Sequence, residues 1–378
     1  MDNGNCIETV TIHDLETLTG LTDGEGFIRI EAKLDADTDH TSYTEVEGWK
    51  ETPLGLCCTT YNNPYLREAA FTGTVSSVSG QDVSFAVSGG GTDLSTILTG
   101  GTYYLEVTSG DNIGHRFDVV SATGNTITLA SDSSLYAATP PFNTLTSAPP
   151  SSLAGDQVVV RRHWTLDEIF PPGSFGATGD PSTADEVQVF AGGVWTIYWL
   201  YNGIDNTPAA SRWVDAADAG MANQGTTIIP PGQGMFFNNR TAATSLLAYG
   251  EVRANPFIRP LATGSNLVGG GYPLDQSATG ANSREMTLAA GFFGSRDFKT
   301  ADSFSIWRED STSGASGYDT YYLLDGSPNQ PSMLRWVKVG DTSIQARDAE
   351  TLFLGDHSVF LKSKTSLPAY TIPLPWTP

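Results

Sequence analysis

Apolar residues in this chain come in bursts of roughly four to eight, broken by Gly, Pro, Ser and Thr, which is the pattern of strands joined by turns. Near the N-terminus, Ile7-Glu8-Thr9-Val10-Thr11-Ile12 alternates. So does Phe27-Ile28-Arg29-Ile30-Glu31-Ala32-Lys33-Leu34, where Ile28, Ile30, Ala32 and Leu34 fall on one face and the three charged residues on the other. No stretch keeps a sustained helical period. The best helical candidate, Leu166 to Phe170, is stopped by Pro171 and Pro172. The pattern predicts an all-β chain.

An internal duplication organises the C-terminal part. Val187-Gln188-Val189-Phe190, Trp195 to Gly203 and Arg212-Trp213-Val214 are answered by Phe304-Ser305-Ile306-Trp307, Tyr318 to Gly326 and Arg335-Trp336-Val337. Phe190 and Trp307 are offset by 117, whereas Trp213 and Trp336 are offset by 123, which a six-residue insertion around Asp310 to Ser316 explains. Downstream, Pro231 to Phe237 answers Leu354 to Leu361 with one further insertion; upstream, Trp164-Thr165-Leu166 is matched to Met286-Thr287-Leu288. Asn202-Gly203 and Asp325-Gly326 read as two-residue type I′ turns, making each unit a β-meander. Trp199, Tyr201 and Trp213, like Tyr322, Leu324 and Trp336, are expected across the hairpins or in the core. Trp199, Trp213 and Trp336 are also candidates for a sugar-stacking platform.

A second echo, offset by 44, links Val75 to Phe85 with Val119 to Leu129, two hairpins with Tyr103 to Val107 between them and Gln157 to Arg161 closing the unit. The predicted architecture is an extended N-terminal strand arm (1–40), a small β-barrel or sandwich (41–162), and two duplicated β-meander or sandwich domains (163–280 and 281–378). A chain of 378 residues exceeds what one core usually serves, in keeping with several domains.

Charge narrows the partners. With 42 acidic against 20 basic residues the formal charge is −22, which repels phosphate backbones and argues against nucleic acid. No run of about 18 apolar residues could span a bilayer as a helix. The leading residues lack the segments of a signal peptide, so export would need a signal already removed or another route. Of the three cysteines, Cys6 is expected to pair with Cys57 or Cys58 if any disulfide forms, since adjacent cysteines rarely bond each other; three free thiols is the plain alternative, and an intermolecular bridge from Cys6 a third.

Several of these segments together resemble a family of uncharacterised secreted bacterial β-repeat proteins. They are Phe71-Thr72-Gly73-Thr74-Val75, Gly101-Thr102-Tyr103-Tyr104, His163-Trp164-Thr165-Leu166, the Pro-Gly-x-Gly-x-Phe run from Pro231 to Phe236, and Gly264-Ser265-Asn266-Leu267-Val268 with Tyr272-Pro273. The resemblance runs from about residue 44 to the end. It implies export and β architecture, and it carries no catalytic residues.

Candidate chemistry is thin. His13, His40, His115, His163 and His357 lie far apart and form no zinc spacing, and there is no Gly-x-Ser-x-Gly elbow. Gly89-Gly90-Gly91 has no following helix to present to a phosphate. Acidic pairs such as Asp167-Glu168 and Asp185-Glu186 arise by chance among so many carboxylates. Asp35-Ala36-Asp37-Thr38-Asp39 could wrap Ca²⁺, but His40 and Val46 stand where the EF-hand loop needs Gly and Glu, so a solvated loop is the better reading. No cofactor and no enzymatic role is expected.

The leading expectation is a self-assembling extracellular subunit that forms a helical filament. The N-terminal arm of one copy, through Ile7, Thr9, Val10, Ile12, Ile28, Ile30 and Leu34, adds a strand to a sheet of the next. Such a head-to-tail contact propagates. The alternative is a monomeric surface adhesin or carbohydrate-binding protein with glycans as partners.

Overall fold

The computed structural model describes residues 7–14, 25–34, 41–43, 46–86, 93–131, 134–203, 211–242, 244–309, 316–327 and 330–375, the first three stretches as backbone strands. The chain opens with β1 (Ile7–Asp14), β2 (Glu25–Leu34), β3 (Thr41–Tyr43), β4 (Glu47–Leu54) and β5 (Cys57–Tyr61). Then come β6 (Ala69–Ser79), β7 (Asp82–Phe85), β8 (Tyr103–Val107), β9 (Arg116–Thr123), β10 (Thr126–Leu129) and β11 (Gln157–Arg162). These six close into a barrel in the order β10-β7-β6-β11-β8-β9. The next group is β12 (Trp164–Thr165), β13 (Glu186–Ala191), β14 (Val194–Tyr201), β15 (Arg212–Asp215), β16 (Ile228–Ile229), β17 (Met235–Asn239) and β18 (Thr244–Glu251). The last is β19 (Phe257–Leu261), β20 (Gly264–Val268), β21 (Ser303–Glu309), β22 (Ser316–Ser327), β23 (Gln330–Lys338), β24 (Val359–Ser363) and β25 (Leu367–Ile372).

Two five-stranded sheets carry the duplication, β15-β14-β13-β17-β5 and β23-β22-β21-β24-β20, and they match strand for strand. The pair β4–β18 likewise matches β19–β25. The first repeat therefore begins at β4, not near residue 163, and the second at β19, not at 281. The barrel is inserted between β5 and β12, and its ends meet where Ala69 pairs with Arg161. Contiguous sequence hides this because the strands on either side of the insert find each other only in the folded sheet.

Register corrects the turns as well. Ala191 pairs with Val194 across Gly192 and Gly193, whose φ of 58° and 81° are those of a type I′ turn. In the second repeat Glu309 pairs with Ser316, a longer connection at the site of the inferred insertion. Neither Asn-Gly nor Asp-Gly makes its hairpin. Tyr201 pairs with Arg212, with ten residues between them where a tight turn would leave two. Asp325-Gly326 lies in a register shift, with the reversal between Ser327 and Gln330, so the left-handed Gly326 (φ 77°) serves a bulge. In the barrel, by contrast, both hairpins turn where the echo places them: Ser79 pairs with Asp82 and Thr123 with Thr126, each across a left-handed Gly. β11 closes the barrel by pairing with both β6 and β8.

Three main cores follow from the alternation. The barrel interior holds Leu105, Phe117 and Val160. One face of each five-stranded sheet buries its own cluster, around Phe170, Trp213 and Phe237 in the first repeat and Phe304, Trp336 and Phe353 in the second. Trp213 Nε1 donates to Phe170 O at 2.8 Å and Trp336 Nε1 to Met286 O at 2.9 Å. Phe170, not Trp164, is thus the counterpart of Met286. The segment Leu166–Ile169 forms one helical turn with a Thr165/Glu168 capping box and ends at Phe170, before the prolines.

Candidate functional site

The N-terminal strands do not stand apart from the body as an extended arm. β1 and β2 pair with each other, bringing Ile12 opposite Ile30 and Val10 opposite Ala32, and β2 then adds to β4 over Glu25 to Ile28. A patterned segment with an open sheet edge beside it satisfies its main chain there. The resulting sheet runs β1-β2-β4-β18, with β3 on β2. Its two ends are different strands, β1 and β18.

The β18 end is open. Glu251 exchanges both main-chain hydrogen bonds with Leu66 on the side away from β4. By the two-residue period of a strand, the N–H and C=O groups of Tyr249, Leu247 and Ser245 face the same way. Among the described residues none of these three has a main-chain partner on that side. Leu247 and Tyr249 are 58% and 64% exposed, so the edge is apolar as well as unpaired.

The two repeats meet across a pseudo-twofold seam. Asn62, directly after β5, donates its N–H to Asp356 O at 2.9 Å; Gly269, directly after β20, donates to Gly232 O at 3.0 Å. Gly232 and Asp356 occupy the same position ahead of β17 and β24. Six rings fill the seam, three from each repeat in equivalent places: Phe190, Trp195 and Phe236 against Trp307, Tyr318 and Phe360. Phe190–Trp195 and Trp307–Tyr318 are cross-strand pairs with centroids 5.0 and 4.9 Å apart, and Phe236 meets Phe360 at 6.0 Å. The main chains come close: a Cβ on Gly234 would lie 2.7 Å from the Leu267 carbonyl carbon. Trp307 Nε1 donates to Cys58 O across the seam at 2.7 Å.

A buried polar group pins the same junction. Asp356 accepts a hydrogen bond from Thr52 and pairs with Lys50 at 3.7 Å and His357 at 2.8 Å. Burial alone would raise its pKa; the His357, Lys50 and Thr52 contacts outweigh that and hold it down at about 2.

The residues singled out in the sequence are scattered by the structure. Trp199, Trp213 and Trp336 are buried, so none can offer a face to a sugar. Each is a packing residue, and two have their N–H groups committed to main-chain carbonyls. Two rings of the seam are exposed at its rim, Trp195 and Tyr318, 42% and 45% accessible. Their signal lay in the duplication itself, since Phe190 and Trp307 recur at 117 and Trp195 and Tyr318 at 123. Cys58 is in no disulfide among the described residues, and Cys6 lies outside them. Asp35, Asp37 and Asp39 also lie outside them. Among the described residues no cluster of three or more His, Cys, Asp or Glu could hold a metal ion. No described helix is long and apolar enough to cross a membrane. Comparison of the chain with family models, curated proteins and solved structures returns no match.

Proposed function

We propose that this chain is the subunit of an extracellular, self-assembling filament, joined head-to-tail when the N-terminal strands of one copy extend a sheet of the next. The observation that carries the reading is the sheet β1-β2-β4-β18, which ends in two different strands, neither with a further strand beside it among the described residues. Addition of β1 from one copy along β18 of another would make one sheet continuous through the assembly, and because the two surfaces differ the contact repeats without closing on itself. The alternating Val10 and Ile12 positions of β1 supply apolar partners for Leu247 and Tyr249. Lack of edge protection on β18 supports a partner strand there, since exposed apolar edges otherwise invite aggregation.

The test separates the two halves of the contact. Removing residues 1–40 should leave a folded monomer by sedimentation and circular dichroism, with no fibres in negative-stain electron microscopy. Leu247→Pro deletes one outward N–H without touching the bonds to β4 and should do the same. Fibres of normal length from either variant would refute the connection.

A second reading, a glycan-binding surface protein, is favoured by one observation. An open groove of about 450 Å³ on the second repeat is lined by Phe298, Tyr318 and Phe360 together with Lys299, Lys362 and Lys364, the mix of rings and cations that suits an acidic sugar. Saturable binding on a glycan array, lost in Tyr318→Ala, would establish it.

A further inference from the structure

The barrel, the first repeat and the second repeat converge on a cleft of about 110 Å³. The barrel contributes Arg116 and Thr144, the first repeat Gly192 and Gln233, and the second repeat Arg259 and Asn266. In a chain with 42 acidic residues, no Asp or Glu lines it. Two arginines do.

Both guanidinium groups are incompletely used. Arg116 is buried, its Cζ 4.5 Å from the centroid of the Phe257 ring, and its Nη2 donates to Ile258 O at 2.8 Å, but Nη1 has no partner. Arg259 donates from Nη1 to Gly232 O at 2.5 Å, while Nε has none. Neither arginine is in an ion pair among the described residues. Of the other buried arginines, Arg161 is paired with Glu251 and Arg253 with Glu106, while Arg284, outside the cleft, has no ion pair among the described residues. A buried cation with no carboxylate in contact is costly, and at this cleft two such arginines meet with no carboxylate on the wall, which points to a counter-charge supplied from outside the chain. The electrostatics agree. Burial first, and then the neighbouring Arg116 and Arg284 charges, push Arg259 down to about 9; burial brings Arg116 to about 10 against the opposing pull of Tyr104, Asp118 and Tyr272.

We infer that this cleft binds a small oxyanion, held between Arg116 and Arg259, which ties the three lobes together. A guanidinium fork matches the oxygen spacing of carboxylate and phosphate groups, and no opposing carboxylate competes. At about 110 Å³ the cleft has room for a phosphate or acetate-sized group. The inference does not depend on filament assembly.

Calorimetric titration of the full chain with inorganic phosphate and, separately, with acetate, at constant ionic strength set by chloride, tests it. The expected result is one saturable site for at least one of the two ions, a melting temperature that rises with its concentration, and affinity about tenfold or more weaker in Arg259→Met. Binding of phosphate alone assigns a tetrahedral ligand, and binding of acetate alone a planar one. Ala262→Glu places a carboxylate of the chain's own on the cleft wall, and should abolish binding of the added ion while raising the melting temperature in chloride. An adventitious ion only, recognised by binding no stronger than chloride in the wild type or by unchanged affinity in Arg259→Met, overturns the proposal. Should Arg259→Met fail to fold, undiminished binding by Ala262→Glu overturns it equally.

Discussion

Trp213 and Trp336 show how much one side chain can organise. Each lies fully buried in the core of its repeat and hands its N–H to the segment crossing beneath the sheet. Replacing either with Phe keeps most of the packing but strands a buried carbonyl, at about 1–3 kcal/mol; Ala at either position should cost about 3–5 kcal/mol. Urea unfolding of the four variants should give matching losses for the two sites, and a large loss at one only would deny their equivalence. Asp356 offers a second residue-scale expectation. Its pKa in the folded chain is held at about 2, against 3.8 ordinarily, so the carboxylate stabilises the fold by about 2 kcal/mol above pH 4. That contribution is lost as pH falls from 4 towards 2. Asp356→Asn should therefore be the less stable protein at pH 7 and approach the wild type near pH 2, as measured by urea midpoints across that range.

At the scale of elements, the hairpins show what local pattern can and cannot decide. Gly80 and Gly124 turn where the echo predicts because nothing outside the barrel competes for them. Asp325-Gly326 has the same local chemistry, yet the strands pair past it and use the glycine for a bulge. Register is chosen by which faces must be buried, and that is settled by the facing core, not by the turn. Six residues separate β21 from β22, where two separate β13 from β14. Replacing the connection with the Gly-Gly of the first repeat should change stability by less than about 1 kcal/mol, because loop length costs little. A large loss in thermal unfolding would mean that those residues pack elsewhere.

At the scale of the whole molecule, the barrel is a guest within the first repeat. Its core draws only on residues of its own strands and connections, and Ala69 and Arg161 are paired neighbours at its base. A fragment spanning residues 69–162 should fold alone with a cooperative thermal transition; a broad, non-cooperative melt would show that the barrel needs its host. Much of this chain was legible from the sequence. Alternation at Ile28, Ile30, Ala32 and Leu34 marked strands, the offsets of 117 and 123 marked two copies of one unit, and the 44-residue echo marked the barrel. Those features are local, or compare one stretch with another, and period and spacing are enough to reveal them. The sequence could not show that β5 joins β17 across the inserted barrel, that Trp199, Trp213 and Trp336 face inward while Trp195 and Tyr318 reach the rim, or that Arg116 and Arg259, 143 residues apart, share a cleft. Those depend on which surfaces meet when separate cores pack together, and the free energy that decides it belongs to contacts between distant residues, with no trace in the order of neighbours along the chain.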